Sequence, residues 1–315
     1  MRRTDALITA ARMVSRNSAN ADGTLSIPDN EVIQYLNDAQ ARLQNKMSAK
    51  KNIAKIFATQ QIISVVGAQE SYTVPDRVLL NKQIEYVEYS ATSSLIDFVR
   101  LEKLNFFNRD TNPSTYPWGY IKRGGQILLQ PTPSNTQGTI RITYERQIDD
   151  LDIPRGVISS ITSGTSTGFA ALVLDTTADQ YETTTPGWSN IQYCSIVDPN
   201  GARKAYNVPV STYNTGTNTI TPSGGFIYAS SDVQIAVGDI AVFNKYTTTF
   251  SQLPDNCERY LVHYAATEMF GKDSSEDGKR QGAVLAAIES DILEALSAQT
   301  SEVQFIPQMD RYEWF

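Results

Sequence analysis

The chain is 315 residues long, 41% hydrophobic and 19% charged, with a formal net charge of −7. That is enough globular sequence for two domains, and the negative balance weighs against wholesale nucleic-acid binding. Cys194 and Cys257 are too far apart for metal-ligand spacing or a disulfide framework, and no apolar run nears the roughly 20 residues that cross a bilayer.

Met1-Arg2-Arg3 is basic, but no long apolar stretch follows, so no signal peptide is expected. Thr4 is placed to cap a short helix with Leu7, Ala11 and Val14 on one face. Asn17 to Gly23 is polar and reads as a loop. Ser26-Ile27-Pro28-Asp29-Asn30-Glu31 is a helix start, and Val32, Leu36, Ala39, Leu43 and Met47 follow at helical steps to about Ala49. Lys46, Lys50, Lys51 and Lys55 gather at its C-terminal end, where the helix dipole favours cations.

Beyond Asn52 the pattern turns to β. Ile56 to Val66 reads as a strand, Gly67 to Glu70 as a turn and Ser71 to Val74 as a short strand stopped by Pro75-Asp76. Gln83 to Ser90 alternates through Ile84, Tyr86 or Val87, and Tyr89. Leu95 to Leu101 alternates again, and Leu104 to Arg109 reads as either strand or a single helical turn. Tyr116-Pro117-Trp118-Gly119-Tyr120 leads to a hairpin turning at Arg123-Gly124-Gly125-Gln126, with Ile127 to Gln130 as its return. Thr139 to Arg146 places Ile140, Ile142 and Tyr144 on one face.

Between Leu151 and Leu253 the composition changes: about a quarter of the residues are Ser or Thr, and Arg155, Arg203, Lys204 and Lys245 are the only basic ones. Strands are expected at Val157–Ile161, Ala171–Leu174, Gln192–Val197, Ala205–Val210, Thr217–Thr221, Phe226–Ala229 and Ile240–Phe243, which suggests a small barrel or sandwich. Helical pattern returns at Leu253-Pro254-Asp255, with Leu261, Tyr264, Ala265 and Met269 on one face. After a polar connection from Gly271 to Gly278, a last helix from about Lys279 to Ala298 carries Val284, Leu285, Ile288, Ile292 and Leu296. Glu302 to Phe315 reads as an extended arm whose Phe305, Ile306, Tyr312, Trp314 and Phe315 need another surface to cover them.

The expected fold is therefore α+β: a four-helix core with an antiparallel sheet over residues 1–151 and 253–315, plus an inserted all-β domain over 152–252 that folds on its own. Charge is uneven, with nine Lys/Arg against five Asp/Glu in residues 1–55 and five against twelve in 254–315. Opposite patches of that kind suit head-to-tail contact between copies.

Catalytic equipment is sparse. The single histidine, His263, sits in an apolar helical run and reads as packed or interfacial; Cys257, six residues earlier, points to a different face. Neither a P-loop nor a Gly-x-Gly-x-x-Gly after a strand occurs. Asp149, Asp150 and Asp152 cluster at the start of the insertion and read as a solvated turn, with cation binding as the alternative. No catalytic, cofactor or metal residue is assigned, and the chain does not read as an enzyme.

The outer segments carry a resemblance. Two N-terminal helices precede Gly67-Ala68-Gln69-Glu70-Ser71-Tyr72-Thr73-Val74-Pro75. Then come Tyr116-Pro117-Trp118-Gly119-Tyr120, Gly124 to Pro133, a strand ending Tyr144-Glu145-Arg146, and a helix pair opened by Leu253-Pro254-Asp255. This order resembles the head-to-tail connector, or adaptor, proteins of tailed bacteriophages over roughly residues 4–151 and 253–298; the insertion departs from the simplest members. The resemblance implies a structural virion protein in the neck, assembled in the host cytoplasm. It implies a ring, usually of twelve copies, that sits under the portal protein, extends the DNA channel without sequence-specific DNA binding, and docks the next tail or nozzle protein. It also implies that the arm with Phe305, Ile306, Tyr312, Trp314 and Phe315 reaches the portal. A second reading is a carbohydrate-binding or tail-fibre-like virion module, which would need Trp188, Tyr193 or Tyr213 at an exposed face of the insertion. A glycan hydrolase rests on scattered carboxylates alone.

Overall fold

The computed structural model describes residues 3–15, 27–79, 84–92, 97–105, 116–134, 138–165, 168–175, 192–214, 216–224, 226–227, 234–272 and 276–302. Two compact units emerge: Met1–Met47 with Ile148–Gln299, and Ser48–Gln147. The whole is mixed helix and sheet, as an α+β protein requires.

In the first unit, α1 (Thr4–Ser15) packs along α4 (Glu258–Lys272), burying Leu7, Ile8 and Ala11. Thr4 does not cap α1. It lies inside the helix, and its backbone N–H and hydroxyl both donate to the Thr249 carbonyl. α2 (Asp29–Ser48) buries Val32, Leu36, Ala39, Leu43 and Met47 completely, the stripe its sequence spacing predicts. α4 begins after a 3-10 turn at Asp255–Cys257 and runs to Lys272. α5 (Glu276–Glu302) starts three residues earlier than its pattern suggested and ends four later. Ile288, Ile292 and Leu296 are its buried face; Val284 and Leu285 are half-buried.

All seven strands expected in the insertion form. They are β10 (Gly156–Thr165), β11 (Gly168–Leu174), β12 (Tyr193–Val197), β13 (Arg203–Asn214), β14 (Thr219–Pro222), β15 (Phe226–Ile227) and β16 (Ile240–Phe243). The sheet order β10-β16-β12-β13-β14-β11 is closed by a β11–β10 pairing, which makes a six-stranded barrel with β15 attached to β11. Its interior is filled by Ile158, Phe169, Leu172, Cys194, Ile196, Ile220 and Phe243, so the barrel is a packed core and not a container. Gly156 opens the barrel where a Cβ would stand 2.6 Å from Leu174 Cδ1, and Gly201 (φ +93°) ends the Asp198-Pro199-Asn200-Gly201 turn in a conformation that suits glycine.

The second unit begins differently from its sequence pattern. Lys51–Ala54 is a helical turn (α3) and Lys55–Phe57 a 3-10 turn, because Ile53 and Phe57, four apart, both turn inward; β1 (Ala58–Ser64) starts only afterwards. Seven more strands follow in this unit: β2 (Ser71–Thr73), β3 (Tyr86–Ser90), β4 (Val99–Arg100), β5 (Glu102–Lys103), β6 (Gly119–Arg123), β7 (Gln126–Gln130) and β8 (Thr139–Glu145). They make two four-stranded sheets, β1-β8-β3-β4 and β2-β7-β6-β5. In the first, Ile142 lies across from Gln61 and Val87, and Ile140 across from Ile63 and Tyr89. Val87, not Tyr86, joins Ile84 and Tyr89 in the interior. One apolar cluster joins both sheets through Tyr72, Val87, Tyr89, Tyr120, Ile127, Leu129, Ile140, Ile142 and Tyr144. Leu104 and Asn105 are not helical; the rest of that ambiguous stretch lies outside the described residues.

Candidate functional site

The root of the barrel is the most elaborate polar construction in the described residues. Incoming strand β9 (Asp150–Leu151) pairs in parallel with outgoing strand β17 (Thr247–Thr248), with Thr247 opposite Asp150 and Thr248 opposite Leu151. Asp150 N–H donates to Tyr246 O at 2.9 Å and Asp152 N–H to Thr248 O at 2.8 Å. The chain thus enters and leaves the barrel through one short ladder.

α2 holds this ladder with a polar stripe. The Asn37 amide donates to Leu151 O (3.0 Å) and accepts from Leu151 N–H (2.6 Å), standing in for a neighbouring strand. Gln40 Nε2 donates to Asp149 O and its Oε1 accepts from Ser251 Oγ, while Gln44 Oε1 accepts from Ile148 N–H. Gln40 and Gln44 are buried. Residues at 37, 40 and 44 follow helical spacing, so the stripe was present in the sequence; polar side chains at that spacing read equally well as a solvent face.

Asp149 sits at the centre and is fully buried. Its carboxylate accepts from Tyr206 Oη at 2.9 Å, from Gln252 Nε2 at 2.5 Å and from the Arg203 guanidinium. Arg203 also lies over the Tyr206 ring, 4.0 Å from its centroid. Asp152, buried as well, takes a bidentate pair from Arg155 at 2.9 and 2.8 Å and caps Ile153 N–H. The expectation of a solvated turn is therefore corrected: only Asp150 faces solvent, because Arg203 and Arg155 neutralise the other two inside the fold. Among the described residues no group of His, Cys, Asp and Glu is placed to hold a metal ion.

Around this root the backbone is strained. Asn207 (φ +48°), Asn244 (φ +74°) and Tyr246 (φ +64°) adopt left-handed conformations, and Asn207 Oδ1 accepts from Tyr246 N–H at 2.8 Å. Tyr246 is thereby held 6.1 Å from Tyr206, centroid to centroid, and Lys245 lies 4.6 Å from the Tyr246 ring and 5.7 Å from Tyr193. Cations thus lie over the aromatic rings at the barrel root. Of the residues suited to glycan stacking, Tyr193 is one of these cation-bearing rings, Tyr213 packs on Phe243 in the barrel core, and Trp188 lies outside the described residues.

The remaining sequence candidates separate. His263 is half-buried on α4 with Nδ1 3.4 Å from Gln281 Oε1. Cys194 and Cys257 are buried free thiols, and burial pushes both up to about 12, which suppresses the nucleophilic thiolate. Phe305, Ile306, Tyr312, Trp314 and Phe315 lie outside the described residues. No helix among the described residues is long and apolar enough to cross a membrane.

Residues 4–156 match the family model described as SU10 adaptor protein. The match ends on Gly156, the first residue of β10, so the barrel beyond that residue and the rest of the chain lie outside it. No curated protein matches the chain. With this match, the resemblance to phage head-to-tail adaptor proteins seen in the two N-terminal helices and the β segment is borne out over residues 4–156, which match the SU10 adaptor family.

Proposed function

We propose that the chain forms a ring beneath the portal protein, extends the DNA channel and offers a platform to the next tail component. The family match over residues 4–156 carries this reading. Under it, the helices of a four-helix core build the ring body, with twelve copies as the expected number and DNA passing without sequence-specific contact. A discontinuous core of residues 1–151 and 253–315 carries the inserted domain, 152–252, at the outer or tail-side rim. The hydrogen-bonded root supports a fixed attachment of the insertion to the helical core, since α2 binds both chain segments leading into the barrel. Phe305, Ile306, Tyr312, Trp314 and Phe315 serve as apolar anchors on the portal. Electron microscopy of the purified chain mixed with its portal is the test, and a chain that stays monomeric and ignores both portal and tail proteins would refute the reading. Deleting Glu302 to Phe315 is expected to leave the fold intact and weaken portal docking.

A further inference from the structure

Charge is uneven along the chain: residues 48–147 carry twelve Lys/Arg against eight Asp/Glu, whereas 1–47 with 148–299 carry fourteen against twenty-three. Within the basic unit a cleft of about 500 Å³ opens beside the β6–β7 hairpin, lined by Lys103, Leu104, Asn105, Ile121, Lys122 and Arg123. Among the described residues its lining holds three cations and no acidic side chain. The hairpin tip stands clear, for a Cβ on Gly124 or Gly125 would meet nothing within 4 Å.

The acidic unit offers a matching surface. On α5, Ala287, Asp291, Glu294 and Ala298 are all exposed and follow four-, three- and four-residue steps, which aligns them on one face opposite the buried Ile288, Ile292 and Leu296. Asp291 and Glu294 have no ion-pair partner among the described residues. The alanines on either side keep the helix surface low, so a hairpin tip can approach the two carboxylates closely.

We infer that the Lys103–Lys122–Arg123 cleft is an interface site, and that its occupant is the Asp291–Glu294 face of α5 in a second copy of the chain. This rests on the reading that copies of the chain assemble with one another. A heterologous contact of this kind, one patch meeting a different patch on the neighbour, is what generates a ring or a filament. The opposite charges favour the encounter and fix its register.

Two full-length variants, Lys122→Cys and Asp291→Cys, test this when mixed and treated with a short bismaleimide. Cys194 and Cys257 do not compete, because both are buried. A cross-linked dimer is expected from the mixture and from neither variant alone. Adding Arg123→Glu to the first chain should cut the yield about five- to tenfold, and adding Glu294→Lys to the second should restore much of it. Self-associating chains that give no such cross-link, or a yield indifferent to Arg123→Glu, overturn the inference and leave the ring reading standing. Loss without rescue by Glu294→Lys overturns α5 as the occupant. Arg123→Glu that abolishes duplex DNA binding but spares the cross-link would mark the cleft as a phosphate site instead. Wild-type chains that do not associate even with portal present would refute the ring reading itself.

Discussion

The barrel and the paired sheets are both β structures, yet they end differently. Among the described residues, six strands of the barrel close on one another and β15 alone adds a free edge. The sheets of the second unit stay open, with β1, β4, β2 and β5 at their edges. Closure removes the backbone groups that invite further pairing. The barrel must therefore meet partners through side chains, while the open sheets keep edges and a basic cleft available. The two regions also differ in what secures them. Hydrocarbon holds the sheets together, whereas the barrel is tied at its root by a buried carboxylate.

Breaking that tie should separate the two regions most clearly. Asp149→Ala removes a fully buried charge that Arg203, Tyr206 and Gln252 all address. Losing one partner of a buried pair costs about 3–5 kcal/mol. Hydrogen exchange should quicken in β12, β13 and β17, with β3, β7 and β8 unchanged. Equal acceleration in both units would show that the root does not stabilise the barrel in particular.

Matched core truncations should come next. Ile196 in the barrel and Ile142 in the sheets are both fully buried. Either change to Ala is expected to cost about 2–5 kcal/mol, with exchange quickening only in its own unit. A loss shared by both units after Ile142→Ala would mean that they unfold as one.

This contrast also explains what was legible in the sequence. Strand spacing in the insertion was readable because turns such as Asp198-Pro199-Asn200-Gly201 punctuate it, and the alternation in β8 gave Ile140, Ile142 and Tyr144 directly. Closure of the barrel was not readable, since the β10–β11 pairing that completes it is a matter of register and not of composition. Asp149 reads as solvated from the sequence, because its neutralising partner Arg203 is 54 positions away. Asn37, Gln40 and Gln44 are not legible for the opposite reason: nothing local marks a polar helix face as buried. Ile53 and Phe57 show the third kind of miss, a β-rich stretch in which helical burial at four-residue spacing prevailed.

The thiols offer a milder probe of the same comparison, since both sit in the helix–barrel unit. Burial pushes Cys194 and Cys257 from an ordinary 9.0 up to about 12. A raised pKa favours the folded state fully below 9 and progressively less as pH climbs toward 12, because the unfolded chain ionises first. Alkylation at pH 8 should therefore be slow in the native chain and fast in urea. In Asp149→Ala, Cys194 on β12 should gain reactivity more than Cys257 ahead of α4. Equal gains would place the damage beyond the barrel.

The smallest effect is expected where an ion pair lies near the surface. Lys46 of α2 pairs with Glu289 of α5, yet the Lys46 side chain is 37% exposed, whereas the Asp149 side chain is not exposed at all. Water solvates the Lys46 ammonium in the unfolded chain and much of it in the folded one, so little is gained by pairing. Lys46→Ala should cost no more than about 0.2–1 kcal/mol, and salt should erase most of that difference. The Asp149 deficit should persist in the same salt, because ions cannot reach a buried carboxylate. If Lys46→Ala proves as costly as Asp149→Ala, burial is not what ranks these two pairs, and the α2–α5 contact would be the principal tie in the acidic unit.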